Sequence, residues 1–242
     1  MNKQSNSYTI LYAVGLVLVV GLALSAVYQT LRPAQQENID DDTRSQILKA
    51  ALLTAPEGVP MSDFFAEHVK KSYIVNYNGA IVDKNADAAF DATLHMSQES
   101  KKPENERKLP VFECSTEKGL KYILPVYGQG LWGPIWGYVA FDADGETIYG
   151  AYFAHQGETP GLGAEIEKPQ FSDQFRNKKI FNNNTFEPIM VVKVGKEPTG
   201  KEWVHSVSGA TITSSGVQTM LDKSLRPYEK FLENLHSSSA AK

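Results

Sequence analysis

A run of small and hydroxyl-bearing residues late in the chain has the composition of a phosphate site. It reads Ser208, Gly209, Ala210, Thr211, Ile212, Thr213, Ser214. The run leads into Ser214–Leu225, where apolar residues recur at helical spacing. A helix N-terminus presents free N–H groups and the positive end of the helix dipole, which favour an anion. The same residue types are preferred helix N-caps, so phosphate binding and simple capping both fit this pattern.

Two glycine-bearing loops are candidates for the walls of a ligand site. The first reads Gly128, Gln129, Gly130, Leu131, Trp132, Gly133, Pro134, Ile135, Trp136, Gly137. Trp132 could stack on a planar ligand, but a hairpin with core aromatics is the simpler interpretation of this loop alone. The second reads His155, Gln156, Gly157, Glu158, Thr159, Pro160, Gly161, Leu162, Gly163. Its main-chain N–H groups, carboxylate and hydroxyl could hydrogen-bond a polar heterocycle.

Several kinds of site are excluded by missing motifs. The sequence contains no G-x-G-x-x-G fingerprint, no Walker A motif and no G-x-S-x-G elbow. Its single cysteine, Cys114, rules out a disulfide framework and a cysteine-rich zinc or iron–sulfur site. The histidines show no metal-ligand spacing. His155 lacks a paired nucleophile, which favours a structural role over that of a general base.

Composition indicates an ordinary globular protein. The chain has 242 residues, of which 42% are hydrophobic and 21% charged, and its net charge is −4. These values exclude global disorder, and the acidic balance argues against a nucleic-acid binder.

The N-terminal segment predicts a membrane anchor. Residues 8–31 contain no charge, and Ile10–Val27 is long enough as a helix to cross a hydrocarbon core. A retained anchor fits better than a cleaved signal peptide, because the apolar run is long and no A-x-A site follows it. Lys3 and Arg32 nearly balance, so charge does not decide the orientation. Pro33 is expected to end the helix, which makes 1–33 the anchor and 34–42 a juxtamembrane linker.

The remainder predicts one α+β domain over residues 43–236, followed by a flexible tail at 237–242. Asn78-Gly79 is a strong hairpin signal, and Ser97–Lys108 is predicted to be a solvated excursion. Helices besides Ser214–Leu225 are expected at Thr43–Leu53, Met61–Lys71 and Tyr228–Leu235. Strands are expected at Tyr73–Tyr77, Ala80–Val82, Val111–Glu113, Lys121–Val126, Ile135–Phe141, Thr147–His155 and Ile189–Val194.

Taken together, the three segments resemble the covalent FMN-binding domain found in the C subunits of sodium-translocating NADH:quinone reductases and in their relatives, the G subunits of Rnf complexes. The run at 208–213 is similar to that family's flavinylation motif, S-G-A-T-x-[ST]. Residues 158–163 resemble its E-T-P-G-L-G loop, and 130–137 its aromatic-glycine loop. The resemblance implies one FMN per chain, joined by its phosphate to Thr213. It also places the other residues of these segments around the cofactor: Trp132, Gly133, Glu158, Thr159, Pro160, Gly161, Leu162, Gly163, Ser208, Gly209, Ala210, Thr211 and Ser214.

The resemblance also implies a function and a location. The chain would carry electrons in a six-subunit bacterial inner-membrane complex that oxidises NADH, reduces quinone and moves Na⁺, with the flavin domain in the periplasm. Thr213, expected on the surface side of its helix, has no evident activating base. Attachment therefore implies a separate flavin transferase that uses FAD. An Rnf-type flavoprotein, another membrane-anchored flavin module and a structural β-rich interaction domain are the alternatives.

Overall fold

A computed structural model describes residues 6–182 and 185–240. Over these residues the chain divides into two compact units, Met1–Asp42 and Thr43–Lys242, of which Met1–Ser5, Asn183, Asn184, Ala241 and Lys242 lie outside the described part. The helices are α1 (Asn6–Ala50), α2 (Met61–His68), α3 (Ala86–Leu94), α4 (Met96–Glu99), α5 (Pro169–Ser172), α6 (Thr211–Leu225) and α7 (Glu229–Ala240).

The first helix is longer than predicted. It runs from Asn6 to Ala50 with Pro33 inside it, so the prediction that Pro33 ends the helix is wrong. Proline removes one helical hydrogen bond, but the residues after it, Ala34-Gln35-Gln36-Glu37, are good helix formers and the helix continues. The predicted linker 34–42 is accordingly helical. Within the described residues, α1 alone has an apolar window long enough to cross a membrane, and none of that window is buried.

The strands of the second unit form an antiparallel sheet of six, in the order β2-β1-β3-β4-β5-β6. Two further short pairs lie outside it, β7 with β8 and β9 with β10. The strands are β1 (Val69–Val75), β2 (Ile81–Asp83), β3 (Leu109–Thr116), β4 (Gly119–Gln129), β5 (Pro134–Asp142), β6 (Ile148–His155), β7 (Phe181–Asn182), β8 (Thr185–Phe186), β9 (Met190–Val192) and β10 (Trp203–His205).

Both faces of the sheet are buried, because successive side chains of a strand point to opposite sides. On β4, Leu124 joins the core formed with α6 and α7, whereas Ile123 joins the core formed with α2 and the last turns of α1. Ile47 and Leu48 of α1 are fully buried in the second core. The predicted α+β architecture, an apolar N-terminal helix before a β-rich domain with flanking helices, is confirmed.

Local differences from the predictions have simple causes. The hairpin at Asn78-Gly79 is present, with β1 paired to β2. Helix α2 stops at His68 instead of Lys71, because Val69 begins a strand that pairs with β3. The predicted excursion at Ser97–Lys108 contains part of α4 and a 3₁₀ turn at Glu104–Glu106. In the predicted tail 237–242, residues to Ala240 are helical and the last two lie outside the described part.

Candidate functional site

The first glycine loop is the tight end of the β4–β5 hairpin. Gly130 donates its N–H to the carbonyl of Gly133 at 2.9 Å, which closes the turn around Leu131 and Trp132. The two tryptophans of the loop segment separate. Trp136 lies against the core and donates its indole N–H to Gln46 at 2.8 Å. Trp132 is 69% exposed, so the core interpretation holds for one tryptophan and not for the other.

The second loop leaves β6 and is half buried. Glu158 is only 4% exposed and Gly163 is buried, whereas the residues between them, Thr159–Leu162, are exposed. The loop is closed by its own backbone: Leu162 and Ala164 both donate to the carbonyl of Thr159 at 3.1 Å. Gly161 has φ +74°, a conformation that glycine adopts without strain.

Residues 211–214 of the hydroxyl run form the first turn of α6 instead of preceding it. The helix begins at Thr211, and its N-cap, Ala210, offers no side chain to the free N–H groups. Thr213 is 1% exposed, so the expectation that it lies on the surface side is wrong. Its position three residues into the helix turns the side chain toward Glu158 and Gly163 in the loop after β6, a direction that depends on where the helix starts.

The three segments meet at Glu158. One carboxylate oxygen, Oε2, accepts a hydrogen bond from the Thr213 hydroxyl at 2.5 Å. The other, Oε1, accepts the backbone N–H of Trp132 at 2.9 Å. The backbone N–H of Glu158 itself donates to His155 Nδ1 at 3.2 Å. Trp132 on the first loop and His155 on the second therefore hold Glu158 in place, while its carboxylate binds the hydroxyl of Thr213 on the third segment.

Two glycines make room for this carboxylate. A methyl group on Gly130 would lie 2.5 Å from Glu158 Oε1. One on Gly163 would collide with Glu158 Oε2 and lie 2.7 Å from Thr213 Oγ1. Both loops therefore need glycine where they approach Glu158, which is a steric requirement and not one of turn conformation.

The remaining hydroxyls of the run differ in accessibility. Ser214 is buried and its Oγ accepts the N–H of Val207 at 3.1 Å, which closes the turn before the helix. Thr211 and Ser208 are both exposed, and Ser208 lies in the turn just before the helix. Gly209, at φ +75°, packs so closely against Leu162 that a methyl group there would lie 2.8 Å from Leu162 Cδ2. The predicted site residues of all three segments thus lie in one neighbourhood.

The three segments also carry exposed apolar side chains, which we call the apolar rim. Large exposed side chains stand on each of them: Leu131 and Trp132 on the first, Leu162 on the second and Ile212 on the third. Exposed apolar groups gathered near buried polar atoms are typical of ligand sites. The structure also supplies a partner for Thr213 that the sequence did not reveal, because Glu158 is 55 residues away along the chain.

His155 has a structural role in this geometry. Its Nδ1 accepts the N–H of Glu158, and its Nε2 lies 3.6 Å from Glu167 Oε2. In the described part of the chain, no three His, Cys, Asp or Glu side chains are grouped so that they could hold a metal ion.

Comparison with known proteins identifies the family. Residues 130–226 match the model of the FMN-binding domain family, and this range includes 130–137, 158–163 and 208–213. The chain is 33% identical to the C subunit of the Na(+)-translocating NADH-quinone reductase of Vibrio campbellii over 238 residues, which cover 91% of each chain. It is 31% identical to the C subunit of Yersinia pestis, covering 90% of this chain and 87% of the relative.

Solved structures of two relatives share the fold. The C subunit from Parabacteroides distasonis superposes with a TM-score of 0.75 at 43% identity, covering 84% of this chain and 96% of that one. NqrC of Shewanella oneidensis gives a TM-score of 0.68 at 28% identity, covering 82% and 98%. By sequence over nearly its whole length and by fold, the chain belongs to the family of Na(+)-translocating NADH-quinone reductase C subunits and contains their FMN-binding domain.

Proposed function

We propose that the chain carries one FMN, joined through its phosphate to the hydroxyl of Thr213. The observation that carries this proposal is the Glu158–Thr213 hydrogen bond, which singles out one hydroxyl among the several of the run. Thr213 also lies in the first turn of α6, where the N-cap residue offers no side chain to the free N–H groups. Those N–H groups and the helix dipole would hold the phosphate.

The surroundings of Thr213 suit FMN. The exposed apolar rim offers surfaces for a planar ring, with Trp132 as the largest. We expect the exposed segment Thr159–Leu162, whose Gly161 N–H now bonds to Glu165 Oε1 and whose Leu162 N–H bonds to the Thr159 carbonyl, to lie beside the polar edge of the ring. FMN would supply electron transfer in one- or two-electron steps. The residues of this chain would hold it and leave part of it open for electron exchange with partners.

Burial of Thr213 sets a condition on attachment. With the side chain 1% exposed, no donor can reach Oγ1 until a neighbouring part of the chain moves, and the adjacent segment Thr159–Leu162 is the one that we propose to move. That segment is exposed, and its Gly161 and the preceding Gly157 have open space around them. We therefore place the required movement in this loop and not in the buried helix α6.

Membership of the family supports a proposal for the role in the cell. We propose that the chain passes electrons as the C subunit of a membrane complex that oxidises NADH, reduces quinone and transports Na⁺, with the other subunits and a flavin transferase as partners. The apolar part of α1 would anchor the chain in the bacterial inner membrane with the flavin domain in the periplasm. A single apolar helix does not form an ion path, so Na⁺ transport belongs to partner subunits.

The test is mass spectrometry with peptide mapping. The full chain is coexpressed with a flavin transferase, and wild type is compared with Thr213→Val, Thr213→Ser and Thr211→Ala. We expect one FMN adduct per wild-type chain on Thr213, none in Thr213→Val, partial attachment in Thr213→Ser and normal attachment in Thr211→Ala. An adduct on Thr211 in wild type, or a covalent adduct that persists in Thr213→Val, would refute the assignment.

Membership of the complex is tested separately. Affinity-tagged chain purified from its own membranes should bring down the remaining subunits in equal amounts. Isolation of a flavin-bearing chain without them would favour a membrane-anchored flavin module that works outside a pump.

A further inference from the structure

We propose that Glu158 is the proton acceptor in the attachment of FMN to Thr213. The inference rests on the proposed function, since it concerns how the Thr213 hydroxyl becomes reactive. It begins from a buried carboxylate that no basic side chain approaches within 4 Å over residues 6–182 and 185–240. A buried carboxylate without a cation is costly, and such arrangements concentrate at functional sites.

The carboxylate is held in place for a reaction at one atom. Oε1 is anchored by the Trp132 N–H, so Oε2 has a fixed position 2.5 Å from Thr213 Oγ1. A general base must lie within hydrogen-bond reach of the proton that it removes, and this pair satisfies that condition before any donor arrives. Because Trp132 lies on the β4–β5 turn, movement of Thr159–Leu162 would not remove this anchor.

The chemistry requires both a base and an activated donor. A threonine hydroxyl is not acidic, and a phosphate monoester has no good leaving group. The donor must therefore be a flavin pyrophosphate such as FAD, presented by the transferase. Thr213 Oγ1 forms a bond to the flavin-side phosphorus, the bridging P–O bond of the pyrophosphate breaks, and a nucleoside monophosphate leaves. The hydroxyl proton passes to Glu158 Oε2, and no group is oxidised or reduced.

The proton transfer also resolves an electrostatic problem. Once Thr213 is esterified, its oxygen belongs to an anionic phosphodiester, and a second negative charge at 2.5 Å from that oxygen would be strongly repelled. A neutral carboxyl group has no such repulsion and has an O–H to donate. Glu158 is therefore expected to stay protonated in the flavinylated protein.

The kinetic test compares full-length wild type with Glu158→Gln, using purified transferase and FAD. Glutamine has nearly the same shape and can still accept the Trp132 N–H, but it cannot take the proton. We expect kcat for attachment to fall by about 100-fold, with the KM for the acceptor chain unchanged and the adduct still on Thr213. A purely structural role would instead change KM or the melting temperature.

A second measurement uses wild type only, so it does not depend on whether Glu158→Gln folds. Infrared difference spectra of wild type with and without FMN, with and without ¹³C-labelled glutamate, should show one protonated glutamate carboxyl gained on attachment. Attachment in Glu158→Gln at the wild-type kcat, or no such carboxyl in flavinylated wild type, overturns the inference. Failure of wild type to acquire FMN at Thr213 refutes the proposed function instead, so the two failures are distinguishable.

Discussion

Thr213 donates a hydrogen bond of 2.5 Å to Glu158 across 55 residues of sequence, and both side chains are buried. The bond joins the first turn of α6 to the loop after β6. Through the N–H of Trp132 it extends to the β4–β5 hairpin as well. A single carboxylate thus holds together the three segments whose composition first suggested a site.

The glycine at position 163 is expected to be indispensable for this arrangement. Gly163→Ala places a methyl group against Glu158 and Thr213, and overpacking of this kind costs about 1–3 kcal/mol. The melting temperature should fall by roughly 2–10 °C, and FMN attachment should decline with it. Gly157→Ala is the matched control, because a methyl group there meets nothing within 4 Å. Equal melting temperatures and attachment for the two variants would contradict the prediction.

Trp132 is expected to act on the flavin and not on the fold. Its side chain is 69% exposed, so Trp132→Ala should change stability by less than about 1 kcal/mol. It should alter the visible absorbance or the reduction potential of the attached flavin while the adduct on Thr213 remains. Trp136→Ala, which removes a half-buried side chain packed against the core, should lower the melting temperature and leave the flavin spectrum unchanged. An unchanged spectrum and potential in Trp132→Ala would exclude this side chain from the cofactor site.

The length of α1 determines where the anchor can be removed. Deleting residues 1–33 should yield a folded, soluble domain, since the buried Ile47 and Leu48 remain. Deleting 1–52 should destabilise the domain severely, because loss of each large buried aliphatic side chain costs about 2–5 kcal/mol. Thermal unfolding, monitored by circular dichroism, distinguishes the two deletion variants. A mature N-terminus beginning after Ala26 in the natural protein would show that the anchor is not retained.

Asp144 makes the β5–β6 turn sensitive to acid. Partial burial raises the pKa of Asp144, but hydrogen bonds from Thr147 and Glu146 outweigh it and leave the pKa below its usual value. A depressed folded-state pKa contributes stability above the unfolded value of about 4, and the contribution is lost as pH falls through the folded value. Asp144→Asn should therefore cost about 1–2 kcal/mol at pH 7 and progressively less below about pH 4 in urea titrations.

The exposed Asp173 serves as the control for Asp144. Asp173 forms a surface ion pair with Arg176, at 3.9 Å. Asp173→Asn should leave the free energy of unfolding within about 0.5 kcal/mol of wild type both at pH 7 and below about pH 4. A constant deficit for Asp144→Asn across the pH range would contradict the linkage argument.

Cys114 is expected to be inert in the folded protein. The side chain is fully buried, and burial raises the pKa of its thiol to about 11. Because the thiolate is the reactive form, iodoacetamide at neutral pH should label very few native chains within an hour. The same reagent should label fully in concentrated guanidinium. Rapid native labelling would show that the β3 strand opens readily.

Much of the fold was accessible to sequence patterns because the relevant forces are local. Alternating apolar residues and the Asn78-Gly79 turn placed the hairpins of the sheet. Other predictions failed where contacts with residues distant in the sequence determine the secondary structure. Val69 is in a strand and not in α2 because it pairs with β3. The end of α1 was misplaced for a local reason instead, since the helix formers just after Pro33 allow the helix to continue to Ala50.

Residue types and spacing marked three glycine-bearing segments as a candidate site, and the resemblance to the FMN-binding family, through its S-G-A-T-x-[ST] motif, selected Thr213 as the expected acceptor. Only the tertiary structure decided that this hydroxyl is buried, that Trp132 and not Trp136 faces solvent, and that Glu158 binds both Trp132 and Thr213. The reason is physical: turn and helix preferences act over a few residues, whereas the direction of a side chain and its hydrogen-bond partner depend on how separate elements pack. The loop after β6 and the first turn of α6 must come together before the Glu158 carboxylate can meet the Thr213 hydroxyl.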